Sequence, residues 1–383
     1  MVMGAAVVLL TSQISISSAL QAINLDVMVF LFGMFVVGEA LVESGFLAHW
    51  SYKYFRRAKT RDALLLLVLF GSGIASAFLM NDTLAIIGTP VVLLLARKHQ
   101  MSSKLLLCAL AFGVTIGSVM SPIGNPQNLL IAMNGAIPNP FGTFFRWLFV
   151  PTVVNLYVAF LLLRKFYRDD FHDAEMSHSQ EPIRDHELAF LSRISLSILL
   201  LLIVVKTSAS VVGMSVNLHL SHIAVAASLP ILVGSRKRFH ILRRVDWRTL
   251  AFFAAMFVLM ESVWQSGAFQ SMISATNVRV TSLESILTVS IVVSQLISNV
   301  PLVALYQPIL LNAGVTQTGM MALAAGSTIA GNALILGAAS NVIIIQAAER
   351  RAHETITFWE FARVGVPLTI ANAGVYWLFL HFI

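Results

Sequence analysis

Long apolar segments follow one another along almost the whole chain, with only short polar stretches between most of them. About 17–25 mostly apolar residues suffice for a helix to cross a bilayer. Charged residues make up only 11% of the sequence, against about 25% in soluble domains. The chain is therefore predicted to be an all-α polytopic membrane protein. The apolar segments lie near residues 2–20, 26–47, 63–96, 104–136, 144–165, 189–210, 221–235, 248–267, 283–312, 318–348 and 361–382.

The basic residues indicate topology rather than a nucleic-acid partner. The formal net charge is +7, but the lysines and arginines gather in short loops between apolar segments. Cytoplasmic loops of membrane proteins carry such an excess, so we expect a multi-pass protein of the plasma or inner membrane. The single cysteine, Cys108, excludes a disulfide framework.

Three pairs of matching stretches reveal an internal duplication. Residues 34–45, "MFVVGEALVESG", match 256–267, "MFVLMESVWQSG". Residues 80–90, "MNDTLAIIGTP", match 298–308, "SNVPLVALYQP". Residues 111–128, "AFGVTIGSVMSPIGNPQN", match 324–341, "AAGSTIAGNALILGAASN". The matches occur in the same order at slowly drifting offsets, which indicates two repeats.

The basic residues also predict that the two repeats run in opposite senses. Segment 63–96 has basic residues at both flanks, so it is predicted to enter from the cytoplasm and return, turning at 80–83. Segment 283–312 has only Arg279 before it, so it is predicted to enter from outside, turning at 298–301. We therefore expect an inverted-topology repeat, the architecture of many secondary transporters. The predicted repeats are 1–165, with broken helix 104–136, and 189–383, with broken helix 318–348; residues 166–188 form a cytoplasmic linker, and segment 189–210 has no partner in the first half.

Four short stretches interrupt the apolar segments at membrane depth: 80–83, 121–128, 298–301 and 337–341. Irregular backbone is tolerated there only where it is buried in protein or lines a cavity. Each half supplies one hairpin tip and one helix break, which together would form a site from carbonyls, amides and half-helix N-termini. The candidate binding residues are Asn81, Asp82, Thr83, Ser121, Pro122, Gly124, Asn125, Gln127, Asn128, Ser298, Asn299, Pro301, Gly337, Ser340 and Asn341.

These residues have a simpler interpretation as helix caps. Asn, Asp and Ser are favoured at N-caps, and proline in the first helical turn. A capped half-helix also presents N–H groups to an anion, and the oxygens of such loops can hold a hard cation. Both interpretations stay open at this point.

Three carboxylates in apolar segments are candidates for ion coupling. Asp82 is the most informative, because an intramembrane carboxylate is costly and usually functional; its counterpart in the second repeat is Val300. We predict that Asp82 carries a proton, with a sodium ligand or a neutral hydrogen-bond donor as alternatives. Glu39 and Glu261 match across the repeats and are either polar contacts between helices or further coupling residues.

The sequence resembles the ion transporter superfamily over nearly its whole length. The resemblance rests on "FLMNDTLAIIGTP" (78–90), "SPIGNPQNLLIA" (121–132), "ISNVPLVALYQP" (297–308) and "GAASN" (337–341). That superfamily includes arsenite permeases, D-type sodium/proton antiporters, silicic acid efflux transporters and divalent anion/sodium symporters. The resemblance implies two inverted repeats, each with a re-entrant hairpin and a broken helix, elevator-like transport and a homodimer.

The resemblance, together with the residues, predicts a secondary transporter rather than an enzyme. The sodium/dicarboxylate branch typically reads Ser-Asn-Thr at both tips, whereas this chain reads Asn-Asp-Thr and Ser-Asn-Val-Pro. The four breaks contain no arginine or lysine, which suits a neutral or singly charged oxyacid. We expect proton-coupled export of an arsenite-like or silicic-acid-like oxyacid or anion. The alternatives are a sodium-coupled di- or tricarboxylate symporter and a sodium/proton antiporter; no cofactor beyond the coupling ion, H⁺ or Na⁺, is expected.

Overall fold

The computed structural model describes residues 1–46, 49, 54–55, 57–135, 137, 139–171, 183–211, 218–274 and 280–382. Every regular element in these ranges is helical, which confirms the predicted all-α class. The helices are α1 (Val2–Leu10), α2 (Ile16–Ala22), α3 (Leu25–Glu43), α4 (Arg61–Leu79), α5 (Asn81–His99), α6 (Ser103–Ser118), α7 (Pro126–Asn134), α8 (Pro140–Phe166), α9 (His186–Val211), α10 (Leu220–Gly234), α11 (Arg238–Arg244), α12 (Trp247–Gln265), α13 (Ala268–Ser274), α14 (Leu283–Ile297), α15 (Asn299–Asn312), α16 (Gln317–Ile329), α17 (Ala339–Ala352) and α18 (Phe358–Phe382).

Six of the described helices are long and apolar enough to cross a membrane: α3, α4, α8, α9, α12 and α18. Large apolar side chains are exposed along several of them, among them Leu201 and Val204 on α9 and Ile370 on α18. Such exposure would be unfavourable in water but is favourable against lipid tails. The prediction of a multi-pass membrane protein is confirmed.

The first predicted hairpin is formed by α4 and α5, which turn back at Met80. The guanidinium of Arg61, at the start of α4, donates to the carbonyl of His99, at the end of α5, at 2.9 Å. The same side chain donates to the carbonyl of Asp170 at 2.6 Å. Arg61 is buried, and a cation at a helix C-terminus is favourable. The hairpin is therefore closed at its base, with both ends on one side; it spans 61–99 rather than the predicted 63–96.

The second hairpin is formed by α14 and α15 and has the predicted range, 283–312. The phenol of Tyr306 on α15 donates to the carbonyl of Val280, before α14, at 3.2 Å, so the second arm runs back along the first. Both tips have the same unusual backbone. Met80 has φ 64° and ψ 141°, and Ser298 has φ 75° and ψ 160°. Such a conformation costs about 1–3 kcal/mol for a residue with a side chain, and it occurs here at equivalent positions of the two repeats.

Both predicted broken helices are present, but the breaks lie earlier than expected. The first helix is interrupted between Ser118 and Pro126, so Pro126, Gln127 and Asn128 form the first turn of α7 rather than the loop. The prediction erred because a proline is compatible with the first helical position, where its missing N–H is not needed. The second break begins at Ala330, seven residues before the predicted 337, and includes 3₁₀ turns at Ala330–Asn332 and Ile335–Gly337. Ser340 and Asn341 accordingly lie in the first turn of α17.

The same close contacts recur in the two halves. A Cβ built on Gly113 would lie 3.0 Å from the Leu69 carbonyl oxygen, and one on Gly326 would lie 3.3 Å from the Leu287 carbonyl oxygen. Each of these glycines lets a broken helix approach the first arm of the hairpin in its own half. The structure therefore has the duplicated fold that the matching stretches predict.

The loops predicted to be cytoplasmic contact one another. Arg164, at the end of α8, pairs with Asp62 at the start of α4 at 2.9 Å. Lys237, after α10, pairs with Asp185 before α9 at 2.7 Å. Residues 172–182 of the predicted linker lie outside the described residues. The boundaries 1–165, 166–188 and 189–383 therefore stay predictions.

Candidate functional site

The first hairpin tip is bonded to the first helix break. The backbone N–H of Asn81 donates to the carbonyl of Gly124 at 2.9 Å. A Cβ on Gly124 would lie 2.4 Å from the Ser118 carbonyl oxygen, so only glycine fits where the chain folds back on the end of α6. The first hairpin tip therefore meets the interruption between α6 and α7.

The amides of the first break converge on Thr328 of the second repeat. The Thr328 hydroxyl accepts from Asn125 Nδ2 at 3.2 Å and from Gln127 Nε2 at 3.4 Å, and donates to Asn128 Oδ1 at 3.3 Å. All four side chains are buried. The first break is thus largely satisfied by a hydroxyl from the other half, which leaves these amides little capacity for a ligand.

Two asparagines stabilise the breaks at equivalent positions. Asn128 Nδ2 donates to the carbonyls of Ser118, Val119 and Ser121 at 3.1–3.2 Å. Asn341 Nδ2 donates to the carbonyls of Gly331 at 2.7 Å and Leu334 at 3.4 Å. These carbonyls lie at or just beyond the end of the first half-helix, where the α-helical hydrogen bonds stop. Both amide groups therefore shape the backbone, but they act on carbonyls rather than as the predicted N-caps; Ser298, for example, makes no side-chain cap bond.

The second break has polar oxygens without partners. Among the described residues, no hydrogen bond is made by the hydroxyls of Thr115 and Ser340 or by the amide oxygens of Asn341 and Asn299, although all are buried. Thr115 is the repeat equivalent of Thr328, and its Cγ2 lies 3.5 Å from a Cβ built on Gly331. Thr115 therefore faces the second break much as Thr328 faces the first, but with its hydroxyl available.

The second hairpin contacts this break through its first arm. Gln295 Nε2 donates to the carbonyl of Ala330 at 2.7 Å, three residues before the tip at Ser298. Each hairpin is thus attached to the break of its own half, and Thr115 and Thr328 connect the two breaks. Ser121 and Pro122 are buried in the first break, and Pro301 is buried in the first turn of α15.

Asp82 lies in the first turn of α5, at the first tip. Its Oδ1 is buried and makes no hydrogen bond with a described residue. The neighbouring Thr83 contacts α3, since a Cβ built on Gly38 would lie 2.8 Å from Thr83 Cγ2. The absence of a side chain at Gly38 lets α3 approach the tip.

Glu39 and Glu261 lie in two separate cavities rather than at the tips. Glu39 lines a cavity of about 410 Å³, here called the arginine cavity. Glu261 lines a cavity of about 380 Å³, here called the amide cavity. The arginine cavity is lined by Phe35, Gly38, Glu39, Val42, Thr83, Ile86, Arg243, Arg244, Val245, Asp246, Trp247 and Arg248. The amide cavity is lined by Ala22, Asn24, Leu130, Asn134, Phe257, Met260, Glu261, Trp264, Ala304, Gln307, Pro308, Leu311 and Asn312.

The two cavities are formed by equivalent residues of the two repeats. The C-terminal half of α3 meets the N-terminus of α12 in the arginine cavity, and the C-terminal half of α12 meets the N-terminus of α3 in the amide cavity. Asp246 and Asn24, which cap α12 and α3, are also equivalent. The helices α3 and α12 are therefore antiparallel, as an inverted repeat requires.

Several site features were missed by sequence reasoning. The list of candidate residues did not include Met80, which has a positive φ. It also did not include the equivalent threonines Thr115 and Thr328, or Gln295. The threonines could have been found, because both fall inside the matching stretches 111–128 and 324–341.

Comparisons with known proteins agree with this architecture. A family model described as citrate transporter, CitMHS, matches residues 1–319. An uncharacterized transporter of Mycobacterium bovis is 30% identical, with 93% of this chain and 86% of the relative covered. A silicon efflux transporter of rice is 26% identical, with 97% and 90% covered. The crystal structure of the YdaH transporter of Alcanivorax borkumensis is similar in fold, with TM-score 0.62, 15% identity, and 95% of this chain and 86% of that chain covered.

Proposed function

The chain belongs to the CitMHS citrate transporter family within the ion transporter superfamily, and from that premise we propose that this membrane transporter exports a small oxyacid or its anion in exchange for protons. The substrate would resemble arsenous or silicic acid in size and in carrying several hydroxyl groups. Transport, rather than catalysis, agrees with the transporters among its relatives.

The observation that carries the proposal is the set of buried, unpartnered oxygens at the second break, at the second hairpin tip and on α6 facing the break. A buried polar group without a hydrogen bond costs about 1–3 kcal/mol. Thr115, Ser340, Asn299 and Asn341 together offer mainly acceptors. Hydroxyl groups of an oxyacid would donate to such acceptors and offset that cost. A multiply charged anion would instead need fixed cations, which the four predicted breaks lack.

Proton coupling rests on Asp82. Its carboxylate lies at the tip of a re-entrant hairpin with a buried, unpartnered Oδ1. An intramembrane carboxylate of this kind is a common proton relay in transporters. We expect Asp82 to take up a proton in exchange for substrate, and we expect the transporter to work as a homodimer.

A sodium-coupled carboxylate symporter is the second candidate. The description of the matching family names citrate, and the same unpartnered oxygens would also suit a hard cation. A sodium/proton antiporter would use Asp82 and these oxygens without any oxyacid.

Transport assays in proteoliposomes separate these candidates. Arsenite, silicic acid, citrate and succinate would be offered with pH and sodium gradients imposed separately. We expect uphill movement of an oxyacid under a pH gradient alone. Carboxylate uptake that requires sodium would replace this proposal with the second candidate, and proton flux triggered by sodium without any substrate would indicate an antiporter.

A further inference from the structure

We infer that the arginine cavity is an entry port for oxyanions, and that the amide cavity, its repeat equivalent, is not. This inference rests on the proposed function and refines it, because it makes the transported species an anion at the point of entry. It starts from a difference between two cavities that the fold makes otherwise alike.

The two cavities are similar in the helices that form them. Glu39 and Glu261 occupy equivalent positions on α3 and α12, and Ile86 and Ala304 occupy equivalent positions on the second hairpin arms. Each cavity therefore borders a second hairpin arm: the arginine cavity near the tip, at Thr83 and Ile86, and the amide cavity farther from it, from Ala304 to Asn312. Asp82 lies four residues before Ile86, on the same face of α5, so the arginine cavity leads toward the proposed proton carrier.

The charges of the two linings differ. Three arginines, Arg243, Arg244 and Arg248, line the arginine cavity together with two carboxylates, Glu39 and Asp246, so basic residues are in excess there. The equivalents of the three arginines in the first repeat are Gln21, Ala22 and Asp26. Among the residues that the structure describes, none that lines the amide cavity is basic; the polar groups there include Glu261 and uncharged amides. Cytoplasmic loops of membrane proteins are rich in lysine and arginine. That rule accounts for basic residues near this turn, but it does not require them to line a cavity.

Two of the three arginines are available to a ligand. Arg244 pairs with Glu43 at 2.7 Å. Arg243 and Arg248 are exposed and make no ion pair with any residue that the structure describes. Two guanidinium groups at the border of a cavity raise the local concentration of anions and can bind an oxyanion through several N–H donors.

The turn that carries these arginines is held in one conformation. Asp246 accepts from the backbone N–H of Thr249 at 3.0 Å and from its hydroxyl at 2.6 Å. The indole of Trp247 donates to the carbonyl of Leu242 at 2.8 Å. Arg243 lies before this turn and Arg248 after it. Because the turn is fixed, binding of an oxyanion by the two arginines should cost less conformational entropy.

The test uses a reporter cysteine in each cavity. In a Cys108→Ala background, Ile86→Cys and Ala304→Cys are reacted with an anionic sulfonate-bearing and a cationic trimethylammonium-bearing methanethiosulfonate, in nanodiscs of zwitterionic lipid at low salt. We expect the anionic-to-cationic rate ratio to be higher at position 86. Removing two charges from the lining of the same cavity should lower that ratio about 3- to 10-fold, so we expect this fall in Arg243→Gln/Arg248→Gln.

A matched control removes two nearby charges that do not line the cavity. Arg236→Gln/Arg238→Gln should leave the ratio unchanged. Equal ratios at the two cysteines, or a ratio insensitive to Arg243 and Arg248, would overturn the inference. Val42→Cys, in the same lining, replaces Ile86→Cys if that variant does not fold.

Anionic lipid is the alternative source of the same chemistry. The labelling is therefore repeated with phosphatidylglycerol in the nanodiscs. An unchanged ratio supports a port for soluble anions, whereas a ratio that collapses assigns the arginines to lipid headgroups and overturns the inference. Because labelling needs no transported substrate, a failed oxyacid assay with a preserved ratio would refute the proposed function and leave the port standing.

Discussion

Replacing Thr328 and Thr115 by valine should affect different properties: Thr328→Val should lower stability, whereas Thr115→Val should lower transport. Thr328→Val keeps the shape of the side chain but removes the hydroxyl that bonds Asn125, Gln127 and Asn128. Asn125 retains a bond to Ser118 at 3.0 Å, whereas Gln127 Nε2 and Asn128 Oδ1 lose the partner they have among the described residues. Each newly unpartnered buried group costs about 1–3 kcal/mol, so we expect the free energy of unfolding to fall by about 2–4 kcal/mol.

Thr115→Val is the matched control. The Thr115 hydroxyl is buried and makes no hydrogen bond with a described residue, so its removal should leave stability unchanged or raise it slightly. Transport should be lowered more by Thr115→Val than by Thr328→Val. If Thr115 binds substrate hydroxyls, Thr115→Val should lower kcat/KM about tenfold, the equivalent of about 1.4 kcal/mol.

Equilibrium unfolding in mixed micelles and initial transport rates in proteoliposomes measure the two effects on the same preparations. Equal destabilisation by the two substitutions would refute the assignment of Thr328 as the residue that satisfies the first break. Full transport by Thr115→Val would remove Thr115 from the binding set.

Three further substitutions test other parts of the structure. Arg61→Gln should lower the free energy of unfolding by about 2–4 kcal/mol, because the guanidinium that closes the first hairpin onto His99 and Asp170 is lost; unfolding as stable as wild type would contradict this role. Gly38→Ala should slow transport without preventing insertion, since its Cβ would lie 2.8 Å from Thr83 Cγ2, whereas Met260→Ala at the equivalent position should be tolerated in the same vesicle assay. The pKa of Asp185 is held below its usual value by the Leu188 backbone N–H and by Lys237. This group therefore contributes stability that is present above its unfolded pKa, about 3.9, and lost as the pH falls through its lower folded pKa; Asp185→Asn should flatten the stability profile between about pH 2 and 5, and an unchanged profile would refute the assignment.

The sequence predicted the architecture because membrane constraints act on local patterns. Apolar length marks the helices, basic flanks mark the loops, and the matching stretches locate both hairpin tips next to Met80 and Ser298. The second break was placed too late because "AGNALILGA", residues 330–338, contains no proline and few polar residues. Its unwinding depends on tertiary bonds such as Gln295 to the Ala330 carbonyl, which no local pattern reveals.

The candidate site was only partly predictable for a similar reason. Asparagines at the breaks can be recognised from the sequence, but whether an amide is satisfied or available depends on the opposite repeat. Thr328 forms hydrogen bonds with the amides of the first break. Thr115 makes no such bond with the described residues of the second break. Glu39 and Glu261 were candidate coupling residues, yet they lie in cavities at opposite ends of α3 and α12, because the antiparallel arrangement of these helices separates equivalent positions.

Proton coupling at Asp82 is tested most directly by measuring proton flux in proteoliposomes that contain the Asp82→Asn variant. Substrate efflux and internal pH would be recorded together for the wild type and the variant, with and without an imposed pH gradient. We predict that the variant still exchanges substrate down its gradient but no longer moves it uphill or carries protons with it. Undiminished proton-driven accumulation in the variant would contradict coupling at the hairpin tip.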